Sequence, residues 1–195
     1  MAFTHLHVHT EYSLLDGSNK ITSYVTKVKE AGMTSAAITD HGVMYGVIYF
    51  YKECSKQGIH PILGCEVYVA PHSRFEHEKT ESDDNYYHLI LLAENNTGYA
   101  NLMKLVSIGY AEGFYKKPRV DFETLEKYHE GLIALSACLA GQVPRLIQRH
   151  DYEGAKELAL KYEACFGKGN YFLELQDHGI AAQAEVNRQL LRMSE

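Results

Sequence analysis

Two periods of apolar residues alternate along this chain. Short runs rich in apolar and β-branched residues, each closed by polar or glycine-containing punctuation, cover residues 3–9, 35–39, 61–69, 86–93, 132–136 and 171–175 and predict strands. Between them the apolar positions fall three and four apart. Ile21, Tyr24, Val25 and Val28 define a helix over 21–31 stopped by Gly32, and a second helix over 43–56 ends before Gly58. Leu102, Leu105 and Val106 mark one face of a helix over 98–111. The same period runs through 152–165 and 181–194, with shorter helices at 122–128 and 141–148. Strand then helix, repeated, predicts an α/β domain on a parallel sheet, either open or closed into a barrel.

The first strand run carries an unusual polar face. His5, His7 and His9 alternate with Leu6 and Val8, so in an extended chain the three imidazoles share one side. A single histidine there would be an ordinary wet position; three in register point to a metal. Polar residues recur near the ends of the other strand runs, at Asp40-His41, Glu66, His88, Ser136-Ala137-Cys138, and Glu174 with Asp177-His178. In a barrel the strand ends and the loops after them gather the active site, and independent surface histidines would not keep that phase. Glu66 stands in an otherwise apolar run, 62–69, where a carboxylate is costly unless paired or metal-bound. Asp40 also suits a helix N-cap. Cys138 taken alone reads as a small buried apolar residue. Residues 71–85, with Arg74, Glu76, Glu78, Lys79, Glu81, Asp83 and Asp84, read as a solvated loop in which His72 and His77 are exposed rather than ligating.

Composition narrows the chemistry. The 195 residues suit one domain or a piece of a longer protein, with core enough to need no disulfides. A net charge of −6 excludes nucleic-acid binding driven by bulk charge and leaves local or metal-assisted contact. Cys54, Cys65, Cys138 and Cys165 form no Cys-x-x-Cys pair, and no leader or membrane-length apolar run is visible. The expectation is a cytoplasmic chain with free thiols and no membrane partner. Neither a Gly-x-Ser-x-Gly elbow nor a phosphate-binding glycine loop is present. A nitrogen- and oxygen-rich donor set with one sulfur suits Zn²⁺, Mn²⁺ or Fe²⁺ better than a thiolate-rich structural site does. So many donors exceed the need of one ion and imply two or three, bridged by a carboxylate. Two ions about 3.5–4 Å apart bind both the attacking and the leaving oxygen of a phosphoester and bring a water to reactivity near neutral pH. Metal-assisted phosphoester hydrolysis is the expected reaction class.

His7-Val8-His9-Thr10, Asp16-Gly17, Ile38-Thr39-Asp40-His41-Gly42 and Gly64-Cys65-Glu66 resemble the motifs of the PHP (polymerase and histidinol phosphatase) family. Further stretches narrow the likeness to the N-terminal PHP domain of bacterial replicative DNA polymerase III alpha subunits. These are Gly46 through Lys52, Gly58-Ile59-His60-Pro61-Ile62-Leu63-Gly64-Cys65-Glu66-Val67-Tyr68 and His88-Leu89-Ile90-Leu91-Leu92-Ala93. Gly113-Phe114-Tyr115-Lys116-Lys117-Pro118-Arg119-Val120-Asp121, Leu135-Ser136-Ala137-Cys138-Leu139-Ala140-Gly141 and Tyr171-Phe172-Leu173-Glu174-Leu175-Gln176-Asp177-His178-Gly179 complete the series, in order over nearly the whole chain.

The resemblance implies a TIM-like, distorted barrel of seven βα units with a trinuclear metal site in its mouth. By position it makes His7 and His9 ligands from the first strand, Asp16 one from the loop after it, and His41 one after the second strand. Glu66 becomes the bridging carboxylate, His88 a ligand from the fourth strand, and Cys138 one after the fifth, where non-polymerase relatives place histidine. His5, where relatives often carry Asp, is expected inside or behind the ligands. The family's closing Asp-x-His on the seventh strand falls beyond Glu195, and Asp177-His178 lacks the intervening residue. The expected domain is therefore residues 1–195 without the last βα unit and without the polymerase domains.

Family likeness further implies a parent DNA-directed DNA polymerase whose palm lies outside this domain, and a metal-dependent 3′–5′ exonuclease in the PHP domain itself. Implied partners are a 3′ single-stranded DNA end, other domains of the alpha subunit, and the proofreading and clamp subunits of the replicase. The Phe114–Arg119 stretch, mixing aromatics with three cations, suits single-stranded DNA or a docking surface equally. Two other readings stand beside this one. A free-standing phosphatase of the histidinol-phosphate type would use the same metals, though the stretch at 113–119 argues against it. The other is a metal-stabilised module without catalysis that carries a proofreading subunit.

Overall fold

A computed structural model describes residues 3–77 and 85–195. The strands are β1 (Ser35–Ile38), β2 (His60–Val69), β3 (Tyr87–Ala93), β4 (Phe114–Tyr115), β5 (Lys117–Val120), β6 (Leu132–Leu135) and β7 (Tyr171–Phe172). The helices are α1 (Ile21–Glu30), α2 (Val47–Gln57), α3 (Asn96–Ala111), α4 (Phe122–Tyr128), α5 (Gln142–Gln148), α6 (Tyr152–Phe166) and α7 (Ala181–Met193). Local signals fix several helix ends. The side chains of Asn95, Asp121 and Asp151 accept from backbone amides in the first turns of α3, α4 and α6, and Asp121 forms a capping box with Thr124. At Gly58 the backbone turns left-handed, φ 74°, and stops α2. Residues 43–46, expected in α2, instead make the turn that leads into it.

The sheet is mixed rather than parallel, in the order β4-β5-β2-β3-β6-β7, with β1 also on β2. Strand β2 runs parallel to β1 and β5, while β3 is antiparallel to both β2 and β6. Among the described residues no helix separates β2 from β3, and a strand that returns without a crossover returns antiparallel. Cys65, Val67, Leu89 and Leu91 pack with Leu102, Leu105, Leu125 and Phe166 from the helices, making the main core. Ile90, Leu92, Leu135 and Ala137 cluster separately, in phase with the opposite face. A third cluster joins Ile21 and Val25 of α1 to Ile38 of β1 and Phe50 of α2.

Strands β1 and β5 lie end to end along one edge of β2, pairing with His60–Leu63 and with Tyr68–Val69. The loop after β1 fills the interval, with Glu66 N donating to Asp40 O at 3.1 Å and Gly42 N to Glu66 O at 2.8 Å. That pairing places His41 beside Glu66.

Residues 3–9 form no strand. Thr39 N donates to Val8 O at 2.9 Å, but Val8 N donates to the Thr39 hydroxyl at 2.7 Å, so a side chain takes the place of the next backbone acceptor and no ladder develops. Conversely, residues 114–120 form the β4–β5 hairpin, turning at Lys116, φ 61°. The buried Arg119 guanidinium binds the backbone carbonyls of Gly113, Arg74, Glu76 and Asn85. Arg74, expected in solvent, instead meets Asp121 at 3.0 Å and Glu112 at 2.8 Å. His72 and His77 are exposed. Glu78, Lys79, Glu81, Asp83 and Asp84 lie outside the described residues. No helix among the described residues is long and apolar enough to cross a membrane.

Candidate metal centre

Glu66 is fully buried, and four imidazoles converge on it. One carboxylate oxygen lies 2.9 Å from His7 Nε2 and 3.8 Å from His9 Nε2. The other lies 2.5 Å from His41 Nδ1 and 2.9 Å from His88 Nδ1. Asp16 Oδ2 reaches His41 Nε2 at 2.5 Å, and Cys138 Sγ sits 3.6 Å from His88 Nδ1. The donors form three overlapping triads, His7/His9/Glu66, His9/Asp16/His41 and His41/Glu66/His88, with the ligand atoms of each within 4.8 Å of one another. The structure thus draws His7, His9, Asp16, His41, Glu66, His88 and Cys138 into one cluster.

Register explains the placement. Tyr68 opposes His88 and Glu66 opposes Ile90, so Glu66 and His88 share a face of the β2–β3 pair. His88 is the second residue of β3, not a residue at its end. Because β3 runs against β2, its start lies at the edge of the sheet where β1 and β6 finish, beside His41 and Cys138. The loop bearing Asp16 is held from beneath by Asp40, which is buried and accepts from Thr10 N at 2.6 Å, Thr10 Oγ1 at 2.7 Å and Ser13 Oγ at 2.6 Å. Ser13 Oγ in turn accepts from His41 N. Asp40 is therefore a loop anchor and not a helix cap; α2 begins at Val47, after Gly46. Gly42 takes φ 63°, and a Cβ there would come within 2.8 Å of the Tyr68 ring.

The electrostatics separate the imidazoles. Burial pulls His7 down, but hydrogen bonds to Glu174 and Glu66 outweigh it and raise the pKa to about 10. Burial likewise opposes, and Cys138 and Glu66 overcome, in raising His88 to about 9. His41 also rises against its burial, through Glu66 and Asp16. His9 goes the other way: burial, helped by the His41 and His7 cations against the pull of Glu66, lowers it to about 4. Burial disfavours the Glu66 charge, yet His41, His7 and His88 hold its carboxyl well below the usual range.

These features fit a divalent cation. A neutral imidazole is the metal-binding form, and His9 is neutral, while its Nδ1 is buried without a partner. The protons on His7 and His88 occupy positions that an ion would take over.

Two residues of the cluster fall outside the predicted ligand set. Glu174 Oε1 accepts from His7 Nδ1 at 2.7 Å, and Gln176 Nε2 lies 2.6 Å from the same oxygen. Glu174 Oε2 is buried and unpartnered. The sequence shows Glu174 as one more carboxylate after a strand run; nothing local reveals that it reaches His7. His5, expected behind the ligands, is exposed and packs edge-on against Phe3. Asp177 and His178 are exposed, and the Asp177 carboxylate accepts from Gly179 N.

Comparison with known proteins bears on this cluster. The family model described as the PHP domain matches residues 5–178. The chain is 50% identical over 194 residues to DNA polymerase III subunit alpha of Treponema pallidum, covering 100% of the chain and 17% of that protein. Against the same subunit of Aquifex aeolicus it is 44% identical over 198 residues, covering 99% and 17%. The chain thus spans about a sixth of these relatives' length. An amidohydrolase from Chromobacterium violaceum, solved with bound sulfate and no metal, superposes with a TM-score of 0.61 at 13% identity, covering 99% of this chain and 84% of that one. A candidate metal-dependent phosphoesterase from Bifidobacterium adolescentis gives 0.56 at 13% identity, covering 98% and 84%. These two share the α/β fold. With polymerase alpha subunits aligned to its full length and the family model spanning its histidine cluster, the chain belongs to the PHP domain family.

Proposed function

We propose that this domain holds two or three divalent ions and hydrolyses phosphodiesters at the 3′ end of single-stranded DNA. One observation carries the reading. Glu66 presents one oxygen to His7 and His9 and the other to His41 and His88, the disposition of a carboxylate shared between two cations. His7, His9, Asp16, His41, Glu66, His88 and Cys138 would hold the ions, with Zn²⁺, Mn²⁺ or Fe²⁺ suited to so mixed a donor set. When bound, such ions supply charge stabilisation at the phosphoryl group and an activated water. The chain's own part is to hold the donors in place: Asp40 anchors the Asp16 loop and Glu174 orients His7. Hydrolysis adds water across the terminal phosphodiester, releases a nucleoside 5′-monophosphate and leaves a 3′-hydroxyl on the shortened strand.

The alpha-subunit relatives support a wider setting. Residues 1–195 are the PHP domain of a cytoplasmic replicative polymerase, whose polymerising palm lies elsewhere and whose partners include DNA and the proofreading and clamp subunits. A groove of about 930 Å³ runs beside His7 and Glu174, walled by Ile62, Leu92, Ile133, Leu135, Phe172 and Leu175. Its apolar walls suit a further strand of the longer protein, bringing the Asp-x-His pair towards the centre.

The test is a 5′-labelled single strand incubated with the protein and Mn²⁺ or Zn²⁺. Shortening from the 3′ end, abolished by chelation and by Glu66→Gln, is the expected result. No shortening with either metal, alongside a metal-raised melting temperature, would assign a structural role instead.

A further inference from the structure

A second feature opens directly onto the metal centre: a cleft of about 660 Å³, within the range of small-molecule sites, with Asp16, His41 and His88 along its inner wall. Its other walls are aromatic to an extent that phosphoester hydrolysis alone does not require. Tyr68 stands parallel to the His41 ring at 6.4 Å, and Tyr86 parallel to His88 at 6.0 Å. Further out, Tyr45, Tyr110 and Phe114 expose 70%, 41% and 55% of their surface, and Tyr110 stacks on Phe114 at 6.0 Å. The faces nearest the imidazoles are packed; those at the mouth are open.

Charge follows the same layout. Although the chain carries −6 overall, Lys116 and Lys117 line this cleft. Lys117 Nζ sits 5.3 Å above the Tyr68 ring. Among the described residues of the lining, Asp16 is the single carboxylate, and it is engaged by His41. The rim also stores strain. Leu15 and Lys116 take φ 69° and 61°, conformations costly to residues with a Cβ, and Leu15 is fully exposed beside Leu14. Two lysines and open rings beside a phosphoester centre call for a ligand with both phosphate charge and a flat base.

We propose that this cleft is a stacking subsite for the unpaired terminal nucleotide of single-stranded DNA, with the base against Tyr110 and Phe114 and the backbone phosphate beside Lys116 and Lys117. The assignment rests on the phosphoesterase reading above and adds the residues that choose its substrate. A base stacked on an aromatic side chain is worth enough that removing the ring weakens binding about tenfold, whatever the base.

Fluorescence anisotropy with the full chain, chelator present, tests it using a 5′-labelled oligothymidylate and the same strand ending in an abasic residue. Tyr110→Ala and Phe114→Ala, both at exposed positions, should each weaken binding of the intact strand about tenfold. The abasic end should bind the unaltered protein correspondingly less well. Lys116→Ala should lower the slope of log affinity against log salt by about 1. Variants that bind both strands as the unaltered protein does would overturn the subsite. Hydrolysis of bis(4-nitrophenyl) phosphate by the unaltered chain with Mn²⁺ reads the metal centre separately. Hydrolysis without discrimination between the strands sinks the cleft alone, whereas discrimination without hydrolysis sinks the phosphoesterase reading alone.

Discussion

His7 and Glu174 stand 167 residues apart and share a 2.7 Å hydrogen bond from Nδ1 to Oε1. The bond aims the opposite nitrogen, Nε2, at Glu66 and at His9 Nε2, 2.9 and 3.1 Å away. Glu174 is itself fixed, its backbone N donating to Ser136 Oγ at 2.8 Å and its Oε1 accepting from Gln176. A carboxylate behind a ligating imidazole sets its tautomer and orientation. Glu174→Ala should therefore lower metal affinity about 10–100-fold with the fold retained, and Glu174→Gln should recover part of the loss. Competition against a chromophoric chelator reads this directly; unchanged affinity in the Ala variant would remove Glu174 from the site.

The same imidazoles predict a pH dependence. In the metal-free protein the pKa values of His7 and His88 are raised to about 10 and about 9, above the ordinary 6.5. The native state then binds more protons than the unfolded chain in that interval, so this contribution is complete below pH 6.5 and is lost as pH rises through the folded values. His9, lowered to about 4, acts with the opposite sign, and its contribution is lost as pH falls from 6.5 through 4. Metal-free melting temperatures should peak near pH 6.5 and decline towards pH 10. Loading Mn²⁺ or Zn²⁺ at pH 8 should release at least two protons, those an ion replaces on His7 and His88, with any others coming from the further ligands it takes up. Calorimetry in buffers of different ionisation enthalpy counts them, and zero release would contradict the assignment of these two nitrogens.

Asp40 is predicted to matter through the loop it anchors rather than through contact with an ion. Its buried carboxylate satisfies Thr10 N, Thr10 Oγ1 and Ser13 Oγ, and Ser13 passes the constraint to His41 N. Asp40→Ala leaves those donors without a partner and should cost about 3 kcal/mol. For a chain of this size that lowers the melting temperature by about 6–12 °C. Asp40→Asn, which keeps an acceptor, should lose less. Metal affinity should fall with stability in the Ala variant, since Asp16 and His41 both hang from this network; an unchanged melting curve would refute the anchor.

Much of this architecture was legible because its signals are local. The helices read over 122–128 and 152–165 coincide with α4 and α6 to within a residue, and Gly58 marks the end of α2 in sequence and structure alike. The run over 61–69 reads as a strand, one residue short of β2, because β2 is buried along most of its length. What escaped depends on distant partners. The alternation at 3–9 is that of a strand, yet a threonine hydroxyl occupies one position of the ladder. The β4–β5 hairpin turns on a lysine in the left-handed region, where no glycine announces it. His88 was expected at a strand end, but it opens a strand whose reversal only the β2–β3 pairing reveals. Glu174 was visible as an acid, and its role was not, because β7 ends at Phe172 and the residues beyond it follow no period that would aim a side chain at His7.

Cys138 should set the metal preference of the centre. It is the single sulfur beside six nitrogen- and oxygen-bearing residues, and its Sγ lies 3.6 Å from His88 Nδ1. Sulfur strengthens the preference for zinc over manganese, whereas oxygen donors weaken it. Cys138→Ser keeps the size of the side chain and exchanges a soft donor for a hard one. Zinc affinity should fall about tenfold or more while manganese affinity stays within about threefold, which narrows the preference for zinc over manganese. Titrating both ions into the unaltered and the variant protein at one pH measures the ratio. Because the half-buried position tolerates a hydroxyl, an equal loss for both ions would signal a damaged fold, and the circular dichroism spectrum distinguishes that case. A ratio that does not move would place Cys138 beside His88 but outside the coordination sphere.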